Sequence, residues 1–151
     1  MSATLLRSTA YAAAPVRSSS ASTIRPSRRS VIAGRIMTGI IALLLTLDVS
    51  AKLVRAQAVV DGSAKLGFTP DQMFVVGVIG AVCLVLYLIP RTAPIGAILW
   101  TGYLGGAIAT HLRVDNPLFS HLLFPTYVAA LIWGGLYLRD ARVRALVRAP
   151  R

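Results

Sequence analysis

Four apolar stretches, at 31–53, 72–89, 94–111 and 118–138, are each long enough to cross the roughly 30 Å of hydrocarbon in a bilayer. Hydrocarbon offers no water to backbone N–H and C=O groups, so a crossing segment must satisfy its own, as a helix, or join a closed barrel. None of the stretches shows the period-two alternation of a barrel strand. The expected fold is all-α: a polytopic membrane protein, a compact four-transmembrane-helix bundle spanning 31–140. The connections at 90–93 and 113–117 are short and force antiparallel neighbours, while the longer link at 54–71 has room for a short interfacial helix.

Composition says the same. Hydrophobic residues are 56% and charged residues 14% of 151, and mean hydropathy is +0.69, outside the balance of a soluble domain of this size. The sixteen basic residues face only five acidic ones, a net charge of +11. In a soluble chain that excess would point to nucleic acid, but here the arginines sit in tails and corners rather than along one face, and no nucleic-acid partner is expected. They are read as topology: Arg7, Arg17, Arg25, Arg28, Arg29, Arg35, Arg91, Arg139, Arg142, Arg144, Arg148 and Arg151 fall on one side, against Lys52, Arg55, Lys65 and Arg113 on the other. Both termini are therefore expected in the cytoplasm, with anionic membrane lipid as a partner of the basic tails.

Residues 1–30 are rich in Ser, Ala and Arg and hold no acid, the composition of a disordered tail; an organellar transit peptide shares it. Ser27-Arg28-Arg29-Ser30 has the outline of a twin-arginine signal, yet Asp48, Lys52 and Arg55 stand just before any cleavage site, so the first helix is read as retained. The bacterial inner membrane is the expected address, an organellar membrane the alternative. Residues 141–151 are read as a second basic tail.

Chemistry-bearing residues are few. Cys83, the single cysteine, has no partner for a dithiol cycle and sits within an apolar run, as a small hydrophobe would. No metal site is expected from two histidines without a carboxylate at hand. Asp48 lies about 20 Å along the first helix from Arg35, where a lone carboxylate would cost about 3 kcal/mol. Lys52, four residues on, shares its helix face and can pair with it. Asp48, Lys52, Tyr103, His111, Arg113 and His121 make a candidate polar pocket toward the outer face, its alternative being a satisfied ion pair with interfacial anchors. Gly102, Gly105 and Gly106 in the third stretch, and Gly134 and Gly135 in the fourth, are read as close-approach packing positions, with the third helix central.

The stretches IPRTAPIGAILWTGYLGGAIATHLRV and HLLFPTYVAALIWGGLYLRDARVRAL, with their Pro-Arg-Thr corner, Gly-Tyr-Leu-Gly-Gly run and Trp-Gly-Gly-Leu-x-Leu-Arg-Asp ending, resemble the DoxX-like family of small four-helix bacterial membrane proteins. The resemblance covers about 35–146. It implies the fold directly, and through the wider DoxX family it implies kinship with a membrane subunit of a thiosulfate:quinone oxidoreductase and with thiol and oxidative-stress systems. A thiol relay needs cysteines that this chain lacks. Three functions stay open: a membrane subunit of a redox assembly that binds a quinone, non-covalently, and meets a redox partner protein; a scaffold without chemistry; and a small proton-coupled transporter working through Asp48.

Overall fold

The computed structural model describes residues 27–148, and every regular element in that range is helical. The helices are α1 (Arg28–Leu53), α2 (Gln57–Lys65), α3 (Pro70–Leu88), α4 (Ala93–Arg113), α5 (Phe124–Arg139) and α6 (Ala141–Arg148), with a π turn at Leu118–Leu122. Residues 1–26 of the tail read at 1–30, and the last three residues of the chain, lie outside the described residues, while 28–30 already belong to α1. α1, α3 and α4 are each long and apolar enough to cross a membrane.

The starts follow from local chemistry. α1 begins at Arg28 because Ser27 caps it, its hydroxyl accepting from Ser30 N at 3.2 Å, so the Ser-Arg-Arg-Ser motif serves here as a helix start. α3 opens with a capping box in which Thr69 N donates to Gln72 at 2.8 Å and Gln72 N to Thr69 at 3.2 Å, with Pro70 at its first position. The 54–71 link holds the short helix α2. The C-terminal stretch, read from sequence as a tail, is helical as α6.

The fourth apolar run is not one helix from 118 to 138. Pro125 has no N–H, and its ring excludes the carbonyl four residues back, so the regular ladder begins only at Phe124. Before it the chain makes a wider turn in which Leu123 N donates to Leu118 O at 2.9 Å. α5 alone is about 24 Å long.

The packing runs in a ring: α1 lies against α3 and α5, and α4 closes the circuit by packing on both. Ile41, Leu45, Tyr87, Ala97, Trp100, Ile132 and Leu136 form the core. Ile36, Leu43 and Leu47 on α1, Val78 and Val82 on α3, and Ile95 and Ile98 on α4 point outward. Apolar residues on both the inner and outer faces are what a helix in lipid carries.

The closest approaches are made by other glycines than most of those expected. A Cβ on Gly96 would stand 2.6 Å from Tyr87 Cα and closer still to its N, so the α3–α4 hairpin shuts only around glycine. At the α1–α5 crossing, Gly34 and Gly135 face each other, a Cβ on Gly34 falling 2.9 Å from Gly135 O. Gly134 borders Met37. Gly102, Gly105 and Gly106 meet nothing within 4 Å, and α4 is one wall of the ring rather than its centre.

The two ends differ in charge. Arg142 donates to Pro90 O at 2.6 Å and Ser30 to Leu138 O at 3.2 Å, which gathers the start of α1, the α3–α4 corner and the α5–α6 junction at one end. Among the described residues that end carries Arg28, Arg29, Arg35, Arg91, Arg139, Arg142, Arg144 and Arg148 against Asp140 alone. At the other end Lys52, Arg55, Lys65 and Arg113 are matched by Asp48, Asp61, Asp71 and Asp115.

Gly96→Ala is expected to lower the melting temperature in detergent by an amount equivalent to about 1–3 kcal/mol of overpacking, while Gly106→Ala leaves it unchanged or raised. Equal losses at the two positions would contradict the close approach at Gly96.

Candidate functional site

A cavity of about 530 Å³ opens between α1, α3, α4 and α5 near the charge-balanced end, and α2 lies over it. Its walls are mostly aliphatic, with Leu44 and Leu45 from α1, Val76 and Ile79 from α3, Leu104 from α4 and Val128 from α5. Gly106 also lines it, and the open space at that position is the cavity itself.

Polar groups enter this apolar space at two levels. Deep in it lie Trp100 and Tyr103, one turn apart on α4, their rings edge to face with centroids 4.8 Å apart. Trp100 is 0% exposed, and neither its Nε1 nor the Tyr103 hydroxyl has a hydrogen-bond partner among the described residues. A buried donor left unpaired costs about 1–3 kcal/mol. Gly80 on α3 faces them: a Cβ there would be in ordinary contact with the Tyr103 hydroxyl at 3.6 Å and the Trp100 ring at 3.7 Å, its tightest neighbour being Val49 Cγ2 at 3.0 Å. Trp133 gives the contrast, because its Nε1 donates to Thr101 at 2.9 Å.

Higher up, Asp48 and Lys52 pair across one turn of α1, as their spacing implied. The Lys52 side chain is 14% exposed and that of Asp48 42%, so the ammonium is the more enclosed partner. His111 lines the cavity at the end of α4. The Asn116 side-chain nitrogen lies 2.8 Å from His111 Nδ1; with that amide donating, the neutral ring keeps its proton on Nε2.

Four of the six residues expected in a polar pocket, Asp48, Lys52, Tyr103 and His111, thus share one cavity. The other two stand beside it. Arg113 donates to Leu66 O at 2.6 Å and ties the end of α2 to the end of α4. His121, on the π turn, faces His111 with ring centroids 5.4 Å apart. Trp100 and Asn116 were not among the expected site residues. Trp100 has no distinguishing pattern in sequence, since an indole inside an apolar helix reads as packing, and Asn116 acts only because the chain turns back after His111.

Helices of this length and apolarity, enclosing a cavity with few polar groups, define an integral membrane protein of the all-helical class. The DoxX-like family model matches residues 36–135, and the chain belongs to that family. Neither the curated proteins nor the solved structures give a match.

A double-mutant cycle with Asp48→Asn and Lys52→Met, followed by unfolding in detergent, is expected to give a coupling of about 1–3 kcal/mol. Additive effects within about 0.3 kcal/mol would mean that the two side chains stand independently.

Proposed function

We propose that this DoxX-like protein is a membrane subunit that holds a lipid-soluble, carbonyl-bearing ligand of the quinone class, within a redox assembly. The observation that carries the reading is that Trp100 and Tyr103, whose shielded donors Nε1 and Oη have no partner among the described residues, line an aliphatic cavity. A ligand that satisfies them must be apolar enough to enter and must present acceptor oxygen, and a quinone does both.

The residues present fit such a group. Trp100 and Tyr103 would hold and orient a carbonyl oxygen, and the aliphatic side chains around them exclude water. The Asp48–Lys52 pair fixes a dipole above them, and His111, held by Asn116, supplies the residue type that exchanges protons near neutral pH. When bound, a quinone supplies two-electron, two-proton redox chemistry. The redox partner protein is part of the proposal, because this chain offers no dithiol of its own.

The membrane setting proposed with it is four crossings, formed by α1, α3, α4 and α5, the last lengthened by the π turn, in a four-helix bundle. The excess of arginine at the end where α1 starts and α6 lies supports a cytoplasmic position for that end, in a bacterial inner membrane. The scaffold and proton-coupled readings have no observation of their own in their favour; Asp48 is already paired.

In a Trp133→Phe background, where Trp100 is the only tryptophan, titration with short-chain ubiquinone and menaquinone analogues is expected to quench fluorescence saturably. Tyr103→Phe is expected to weaken that binding about three- to tenfold, the loss of one neutral hydrogen bond. Quenching that stays linear with both analogues, or binding indifferent to Tyr103→Phe, would overturn the proposal.

A further inference from the structure

The arginine-rich end contains a second, smaller space. A crevice of about 200 Å³ lies where α1, the α3–α4 corner and the end of α5 meet, lined by Val31, Arg35, Pro90, Ala93, Arg139 and Asp140.

Its electrostatics are unbalanced. Arg139 lies over the Tyr87 ring, 5.4 Å from its centroid, and Nη2 reaches Tyr87 O at 3.4 Å, but the shielded Nε has no partner among the described residues. Arg144, one turn into α6, likewise has a shielded Nη2 without a partner. A guanidinium cannot relieve this by losing its proton.

Among the described residues, the one carboxylate at this end is already committed. Asp140 Oδ1 accepts from Arg142 N at 2.9 Å and Nε at 3.2 Å, and Oδ2 from Nη2 at 2.8 Å. Those bonds from Arg142 hold its carboxyl below the usual carboxylate range, so at neutral pH it is ionised and bound to Arg142. Asp140 also feels the charge of Arg139 beside it, but no carboxylate of the described residues forms an ion pair with Arg35 or Arg139. The planar fork of a guanidinium suits a phosphate oxygen pair.

The setting indicates where such an anion would come from. α6 buries Val143 but leaves Leu146 77% and Val147 69% exposed beside its arginines, the make-up of a helix lying along a lipid headgroup layer. The neighbouring outward faces of α1 and α4 are aliphatic, so a lipid seated against them brings its headgroup to this level.

We infer that the crevice at the α5–α6 junction is a binding site for a phosphate-bearing anion, the headgroup of an anionic phospholipid, held by the guanidinium groups of Arg35 and Arg139. The site is separate from the α1–α5 cavity and stands whether or not that cavity takes a quinone. Its effect is to fasten the basic end to the anionic leaflet at a fixed point, beyond the diffuse attraction of the flanking arginines.

The test is thermal unfolding of the full chain in neutral detergent, titrated at constant ionic strength with phosphatidylglycerol, phosphatidylcholine or inorganic phosphate. Phosphatidylglycerol is expected to raise the melting temperature saturably and phosphatidylcholine to leave it unmoved. Arg35→Gln, at an exposed position of α1, is expected to weaken the apparent affinity about tenfold. Arg139→Gln should do the same, with Arg35→Gln deciding the matter should loss of the Tyr87 contact unfold the second variant. An Arg35-dependent rise with inorganic phosphate but not with the lipid would keep the anion site and move its source to solution. The inference is overturned by no saturable rise with either anion, by an equal rise with phosphatidylcholine, or by affinity unchanged in Arg35→Gln.

Discussion

Everything in this fold depends on the backbone meeting its own hydrogen bonds in a solvent that supplies none. α1, α3 and α4 close their ladders internally, and their ends are finished by Ser27, by the Thr69–Gln72 box and by the turn from His111 to Asn116. Side-chain hydroxyls inside the helices follow the same rule: Thr38, Thr46, Thr101 and Thr110 each donate to the carbonyl four residues back. With the helices apolar on their outer faces, burial of oily surface cannot bring them together in lipid. Shape does it instead, at Gly96 on Tyr87 and at Gly34 on Gly135.

Against that background the unpaired groups stand out. Trp100 and Tyr103 in the cavity, and Arg139 with Arg144 at the opposite end, are the described side chains whose shielded donors lack partners. The two sets differ in chemistry as they differ in place. The first is neutral and surrounded by aliphatic side chains, which suits an uncharged ligand, and the second is cationic and stands at the arginine-rich end, which suits an anion.

How much was legible in the sequence follows the range of the interaction involved. The all-helical class and the DoxX-like family could be read from apolar runs and local motifs. The Asp48–Lys52 pair could be read because both residues are on one helix at a spacing that fixes their neighbourhood. The break at Pro125 is also local, yet the apolar run continues through it, so the helix expected over 118–138 divides where the N–H is missing. The glycines show the limit: Gly102, Gly105 and Gly106 look the same in sequence as Gly96 on the same helix, and only the placement of α3 decides that Gly96 is squeezed while Gly106 borders a cavity. That Trp100 is an unpaired donor likewise depends on which side chains the packed helices bring near its indole nitrogen, which no local pattern fixes.

In the proposed topology the helices cross hydrocarbon four times, with the arginine-rich end on one side. It is tested most directly by single cysteines introduced one at a time into a Cys83→Ala chain, at Arg91→Cys and Ala145→Cys at one end and Lys65→Cys and Asp115→Cys at the other, labelled with a membrane-impermeant maleimide on intact cells. The account predicts labelling at 65 and 115 in intact cells and at 91 and 145 only after the membrane is opened. Labelling of 91 or 145 in intact cells, or protection of 65 and 115 together with them, would contradict it.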